Sequence, residues 1–327
     1  MSDWRYRLSE HKATIFAALV FVVIFAIYTA NHPAGFSANV VQTAANKGVL
    51  LALIAVAQTF VVLTAGIDLS LGSIFILSNC LASWIVIGSP AMTALGILGV
   101  MATGLACGAI NGALVIVGRL QPIVATIATS AIFFGVALQL RPQPGGDING
   151  DLADAITGQL PGGIPTSVVA LAVVMLLIWV PFRRSLTGRA VYAVGSSEVS
   201  AYMSGVPVRR ATFTAYMLAG LFASLGGLML AFFTSSGEAS SSNAATYTLN
   251  SIAAVVIGGV SLFGGSGSAI GAIFGALIFR TINDLLFVFD LDPLWQPLFL
   301  GLVLLAAVCL GSFRLISIRN RLDLFRQ

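Results

Sequence analysis

Few residues in this 327-residue chain have the types to do chemistry, and most of them stand in apolar surroundings. The carboxylate of Asp68 interrupts a long hydrophobic region in the string GIDLSLGS at 66–73. Holding a carboxylate in lipid costs about 2.5–3.5 kcal/mol even on lenient insertion scales. The flanking glycines and Ser70 can bend the chain and supply hydrogen bonds to it. A second interruption, GGVSLFGGSGSAIG at 258–271, is richer still in glycine. Glycine-broken apolar segments in both halves of a membrane chain point to a solute path rather than a reaction centre. Arg280 and Asp284 stand four residues apart, so on a helix they share a face and neutralise each other.

No enzymatic set assembles around these groups. His11 and His32 lie outside the main apolar runs, so neither a histidine relay nor a metal site is expected. The string GGSG at 264–267 matches the nucleophile motif of intramembrane serine proteases, but no histidine follows in any later span to act as base. The two lysines, Lys12 and Lys47, complete no GxxxxGK[ST] phosphate loop, so no nucleotide or other cofactor is expected on this chain. Cys80, Cys107 and Cys309 lie in apolar runs without metal-ligand spacing. Their odd number argues against a disulfide framework, and they read as small buried hydrophobes.

The elements that position these residues follow from hydropathy. Hydrophobic residues make up 58% of the chain and charged residues 9%, against about 25% charged in soluble domains. A soluble enzyme is excluded on that ground. The net charge of +4 does not indicate nucleic acid, because the basic residues sit singly between apolar runs. About 20 apolar residues are needed to cross a bilayer, and such runs fall near 13–30, 46–65, 71–88, 91–118, 121–140, 166–182, 210–233, 248–263, 267–289 and 294–312. The expectation is an all-α, polytopic membrane bundle of about ten helices, a single domain over 1–327, because lipid demands internally satisfied backbone. The first run reads as an uncleaved span. Ten spans put both termini on one side, and thirteen of the 16 basic residues then fall on that side, with Lys47 and Arg141 opposite. The positive-inside rule makes that side the cytoplasm. The acids Asp147, Asp151, Asp154, Glu238, Asp290 and Asp292 fall outside. Small residues at spacing four, as in Gly104, Gly108 and Gly112, predict close helix packing.

The longest interior loop, 183–210, opens with RRSLTGRA at 183–190 and continues as VYAVGSSEVSAYMSGVPVRR at 191–210. It contains a short helix candidate from Glu198 to Ser204. Ser196 or Ser197 can cap its N-terminus, and Glu198 suits the positive end of the dipole. Gly205 suits the position after the C-cap, and Pro207 stops continuation. A capped, arginine-flanked helix facing the cytosol could dock a partner protein or lie at the membrane interface without one.

Four segments together resemble the membrane permease subunit of bacterial ABC importers of the ribose/xylose/galactoside type. The first is QTFVVLTAGIDLSLGS at 58–73, and the second is NGALV at 111–115 with QPIVATIATSAIFFGVAL at 121–138. The third is the loop segment 188–208, which starts at Gly188-Arg189-Ala190 and runs on through VYAVGSSEVSAYMSGVPV. The fourth is SIAAVVIGGVSLFGGSGSAIGAIFGALI at 251–278. The resemblance runs over nearly the whole chain. It implies a translocation subunit in the inner membrane, not itself an enzyme, working with a cytoplasmic ABC ATPase that holds ATP and Mg, a periplasmic sugar-binding protein, and a second permease copy or a paralogous permease. It also implies that the loop helix couples to the ATPase, through Arg189, Ser197, Glu198, Ser204 and Gly205. One departure concerns the late motif, where the family often has Glu-Leu-Asp and this chain has Thr248, Leu249 and Asn250. The usual Gly-Gly-Arg-Gly is Gly264-Gly265-Ser266-Gly267. Pairing with a non-identical permease would restore the missing charges.

A sugar path needs hydrogen-bonding and aromatic side chains on helix faces that line a cavity. The candidates are Gln58, Asp68, Ser70, Asn79, Asn111, Thr126, Thr129, Phe133 and Phe134, although Asn79 stands at a different helical angle from Ser70. A stand-alone carrier or channel for a small polar solute is the alternative. It would leave the capped cytosolic helix without a role.

Overall fold

Serine, asparagine and proline punctuate the chain into a helical bundle. The structure, a computed structural model, describes residues 3–295 and, beyond them, 298–299, 301–302, 305–306 and 309. The helices are α1 (Asp3–Asn31), α2 (Ala38–Val62), α3 (Leu71–Ile85), α4 (Pro90–Ile116), α5 (Pro122–Leu140) and α6 (Gly150–Thr157). After them come α7 (Thr166–Val174), α8 (Val180–Arg184), α9 (Leu186–Ser196), α10 (Glu198–Met203), α11 (Val208–Thr234), α12 (Ser241–Ile257) and α13 (Ala269–Val288). A π-helical turn at Met175–Trp179 joins α7 to α8 just before Pro181. Ser37, Ser89, Asn149, Ser185, Ser197, Ser240 and Ser268 each accept a first-turn N–H from their own helix, as small polar residues do at N-caps. Pro90 and Pro122 open α4 and α5, where a missing N–H costs nothing.

The centre is built from α2, α3 and α11. From Val49 to Leu63 nearly every α2 side chain is buried, polar Gln58 and Thr59 included. The outer helices carry large apolar side chains on their free faces, for example Leu95 and Leu98 on α4 and Ile127 and Ile132 on α5. That inversion of a soluble protein's surface is what a lipid solvent requires. The glycine stripe on α4 performs as its spacing predicts: a Cβ at Gly104 or Gly108 would collide with the backbone of α11 at Gly220 and Tyr216. Gly271 and Gly275 on α13 meet the carbonyls of Gly258 and Ala254 at the end of α12 in the same way.

Among the described residues seven segments are long and apolar enough to cross a membrane: Lys12–Asn31, Ala38–Val62, Pro90–Ile116, Pro122–Leu140, Thr166–Arg184, Val208–Thr234 and Ala269–Val288. α3, with 15 residues, and α12, with 17, span about 22 and 25 Å at 1.5 Å per residue, short of the roughly 30 Å core. Both abut the glycine-rich interruptions. Connections alternate between two ends of the bundle. At one end Gly265 N–H bonds Leu63 O, and Ala13 packs against Gly259. At the other, Asn149 bonds Val86 and Gly88, Gly145 pairs with Gly237, and Gln42 and Asn46 both donate to Thr157 O.

The structure departs from the sequence reading in several places. α12 occupies 241–257 instead of 248–263, because its first two turns are polar and only its cap marks the start. The loop 141–165 folds into α6 and an antiparallel ribbon of β1 (Gln159–Leu160) and β2 (Ile164–Pro165). The loop 183–210 contains α9 ahead of α10. Cys80 and Cys107 are buried, but Cys309 is exposed, amid outward-facing Leu302 and Leu305; an apolar cysteine on such a surface meets lipid instead of core. The span expected at 294–312 lies largely outside the described residues, as do the side chains of Arg5, Arg7, His11 and the residues after 309.

Candidate functional site

The first interruption is a built turn. Ala65, at φ +63, takes the left-handed position that ends α2. Ala65 N–H returns to Val62 O and Gly66 N–H to Val61 O, the pair of bonds of a Schellman stop. A non-glycine residue there is strained by about 1–2 kcal/mol. The chain then runs without helix or strand to Asp68, whose Oδ1 accepts from the N–H of Ser70 at 2.8 Å and from its hydroxyl at 2.7 Å. This local Asx turn is available to Asp-Leu-Ser from its own atoms.

Asp68 is wholly buried, with no cation at salt-bridge distance among the described residues. Its other oxygen accepts from Asn111 Nδ2 at 3.1 Å, and that amide also donates to Ser70 Oγ at 2.7 Å. Asn111 Oδ1 in turn accepts from the Thr129 hydroxyl at 2.6 Å. Thr126 Oγ1 accepts from Leu69 N–H at 3.0 Å. The Gln58 side-chain amide brackets the Asp68 backbone, donating to its carbonyl at 2.9 Å and accepting from its N–H at 3.3 Å. Asp68 thereby joins α2 through its backbone, the turn before α3 and α4 through its carboxylate, and α5 by way of Asn111. Three donors on the carboxylate offset its desolvation, and the membrane interior offers no water to do so.

Six of the nine expected path residues thus come together: Gln58, Asp68, Ser70, Asn111, Thr126 and Thr129. They satisfy one another in a sealed cluster. Asn79 stands at the other end of α3, where Nδ2 donates to Ser236 O at 3.1 Å and Oδ1 accepts from Glu238 N–H at 2.9 Å. Phe133 is buried in the core, while Phe134 faces a cavity.

That cavity, about 420 Å³, is an open groove between α3, α5 and α12, and Ile127 from the outward face of α5 and the exposed Leu249 are among its lining. Its walls are apolar, with Leu69, Phe134 and Leu249 among them, and three hydroxyls enter: Ser73, Ser130 and Thr248. Ser73 and Ser130 bond each other at 2.8 Å. Thr248 accepts from Gly72 N–H at 3.0 Å, so α12 caps the first turn of α3 while Ser70, at the N-cap, is occupied with Asp68. Among the described residues no charged side chain lines the cavity. Such a lining suits an uncharged solute with hydroxyl groups. Sequence reasoning missed these three hydroxyls. The signal on α5 was the spacing of Thr126, Ser130 and Phe134, each four residues on. Among the described residues no three His, Cys, Asp or Glu side chains form a metal set.

In the loop 183–210 Ser197 is the cap of α10: its hydroxyl accepts from Ser200 N–H at 3.2 Å. Ser204 closes the helix and Gly205, at φ +77, follows it. Gly205 N–H bonds Tyr202 O, and Val206 N–H bonds Ala201 O. Ala201 anchors the helix inward, while Tyr202 and Met203 are 76% and 81% exposed. Arg189 and Glu198 are exposed beside them. Caps at both ends thus hold the apolar side chains of Tyr202 and Met203 outward.

Comparison with known proteins agrees with this geometry. Residues 40–308 match the family described as branched-chain amino acid transport system / permease component. A probable ABC transporter permease protein, y4mJ, of Sinorhizobium fredii is 36% identical over 85% of this chain and 82% of its own length. The ribose import permease protein RbsC of Escherichia coli K12 is 33% identical over 93% of this chain and 94% of its own. The fructose import permease protein FrcC of Rhizobium meliloti is 34% identical over 85% and 79%. No solved structure matches significantly. The chain belongs to the family of ABC-transporter permease components that includes these ribose and fructose import permeases.

Proposed function

We propose that this chain is the translocation subunit of an ATP-driven importer that carries a monosaccharide or related polyol across the bacterial inner membrane. The observation that carries the reading is the uncharged, hydroxyl-bearing cavity in a chain similar over 93% of its length to a ribose import permease. An amino acid would bring two charges into a lining that has none. Ser73, Ser130 and Thr248 can exchange their present bonds for bonds to solute hydroxyls, with Phe134 as an apolar wall. Asp68, Gln58, Ser70, Asn111, Thr126 and Thr129 hold that wall in place from behind.

In this reading a separate cytoplasmic ABC ATPase, which binds ATP and Mg, docks on α10 and its flanks, Arg189, Ser197, Glu198, Ser204 and Gly205. A periplasmic sugar-binding protein delivers the solute to the opposite end, and a second permease, identical or paralogous, completes the path. The bundle has about ten helical passes with both termini cytoplasmic. The alternation of connections between two ends supports this, as does the gathering of Arg183, Arg184, Arg189, Arg209 and Arg210 in the loop with α10.

Uptake of a radiolabelled sugar panel into proteoliposomes tests the proposal. Uptake that requires the ATPase, the binding protein and internal ATP together is the expected result. Uptake by this chain alone, indifferent to ATP, would establish a stand-alone carrier instead.

A further inference from the structure

We propose that Asp68 is the positioning residue of a relay that ties the cytoplasmic loop carrying α10 to the wall of the cavity. The inference rests on the reading of α10 as the ATPase dock. It starts where three backbones touch. A Cβ at Gly195, near the end of α9, would collide with Leu63 O and Gly265 N. A Cβ at Gly265 would strike Ser196, the residue before the α10 cap, and one at Gly264 would meet Ala65. Gly265 N–H also bonds Leu63 O at 3.1 Å. With no side chains between them, a displacement of α9 and α10 moves the end of α2 directly. The strained Ala65 lies in that contact, and strain held by its surroundings is a common property of moving sites.

Three residues on, Asp68 receives the same segment. Its carboxylate fixes Ser70, the N-cap of α3, and through Asn111 and Thr129 it holds α4 and α5. The residues on either side of Ser70 then form the cavity wall. Leu69 is pinned to Thr126, Gly72 to Thr248, and Ser73 to Ser130. One short segment, 63–73, thus touches the docking loop at its start and the solute cavity at its end. The carboxylate is the group on which its middle turns. Hydrogen-bond partners in such a buried cluster are coupled, because each group's bonds are set by those of its neighbours.

The test uses the assembled complex with its ATPase and binding protein in proteoliposomes, and reads solute taken up per ATP hydrolysed. Asp68→Asn keeps the size and the acceptor that Ser70 uses, but sets a second amide NH2 against that of Asn111. The ratio is expected to fall about tenfold or more at an unchanged amount of complex. Asp68→Asn combined with Asn111→Asp reverses the polarity of the pair and should restore the ratio. An unchanged ratio in Asp68→Asn overturns the proposal, and so does a reversed pair that assembles yet stays uncoupled. If Asp68→Asn alone does not assemble, the reversed pair decides by the same ratio. Failure of both to assemble assigns the network to folding alone and overturns the relay. Tyr202→Ala with Met203→Ala separates the premise: unaltered ATPase binding there would refute the docking role of α10, whatever Asp68 does.

Discussion

The backbone N–H of Gly265 donates to the carbonyl of Leu63 at 3.1 Å, so the late glycine-rich loop is bonded to the end of α2. Gly195 closes the same contact with backbone on both sides. Backbone cannot swing aside as a side chain can, so Gly195→Ala should cost about 3 kcal/mol, at the upper end of overpacking. Gly205 is the control. Nothing lies within 4 Å of a Cβ there, but φ is +77, so Gly205→Ala should lose only the left-handed strain, about 1–2 kcal/mol. Thermal melting of the purified protein in detergent ranks the two. A Gly195→Ala variant as stable as wild type would mean that the three backbones are not in contact.

The hydroxyl of Thr248 gives a second prediction. Thr248→Val preserves shape and leaves the Gly72 N–H buried without an acceptor, which costs about 1–3 kcal/mol. Thr248→Ser retains the acceptor and should recover most of that loss. Melting temperatures of the pair measure it. If Thr248→Val and Thr248→Ser melt together, the cap from α12 to α3 contributes nothing.

How much of this was legible in the sequence depended on distance along the chain. Asp68 and Ser70 were conspicuous because a carboxylate in an apolar run needs donors and the nearest lie two residues away. The caps and the left-handed glycine of α10 were legible for the same reason. That Asn111 and Thr129 complete the carboxylate shell was not, since nothing local selects which polar residue of α4 or α5 meets the turn. Thr248 was noticed only as a replacement for an expected acid; its bond to Gly72 depends on how α12 crosses α3. The start of α12 was misplaced because Ser241 to Asn250 is too polar to register as a span. α6 and the β1–β2 ribbon carry no strong pattern beyond the Asn149 cap.

Tyr216 supplies a prediction of opposite sign. Its hydroxyl is buried against Gly66 with no hydrogen-bond partner among the described residues. Removing a desolvated, unbonded hydroxyl recovers its burial cost, so Tyr216→Phe should be neutral or stabilising by about 1 kcal/mol. A fall in melting temperature would reveal a partner for the phenol.

Asn79 holds the 235–240 segment by both ends of its amide, to Ser236 O and Glu238 N–H. Asn79→Asp removes the donor and should free the 235–240 segment while leaving α10 unaffected. Hydrogen exchange by mass spectrometry resolves the two ends of the bundle. Faster exchange confined to the end with 235–240 is the expected outcome, and equal exchange in wild type and variant would show that the Gly145–Gly237 pairing suffices.

The Arg280–Asp284 pair, expected from its spacing, forms at 2.9 Å. Lys47 of α2 joins it at 3.7 Å, a contact that no local pattern could indicate. Asp284 is 8% exposed, whereas the two cations are about one third exposed, so the acid is the member that lipid-facing packing isolates. Asp284→Asn leaves two cations facing a neutral group, and each has to find water or a carbonyl elsewhere. Lys47→Met removes only the longer contact and keeps the stem's apolar packing. The loss of stability should therefore be clearly larger for Asp284→Asn than for Lys47→Met. It should also be relieved when Lys47→Met is added to Asp284→Asn, because one of the stranded charges is then gone. Melting temperatures across that cycle check the order, and strict additivity would show that Lys47 does not sense Asp284.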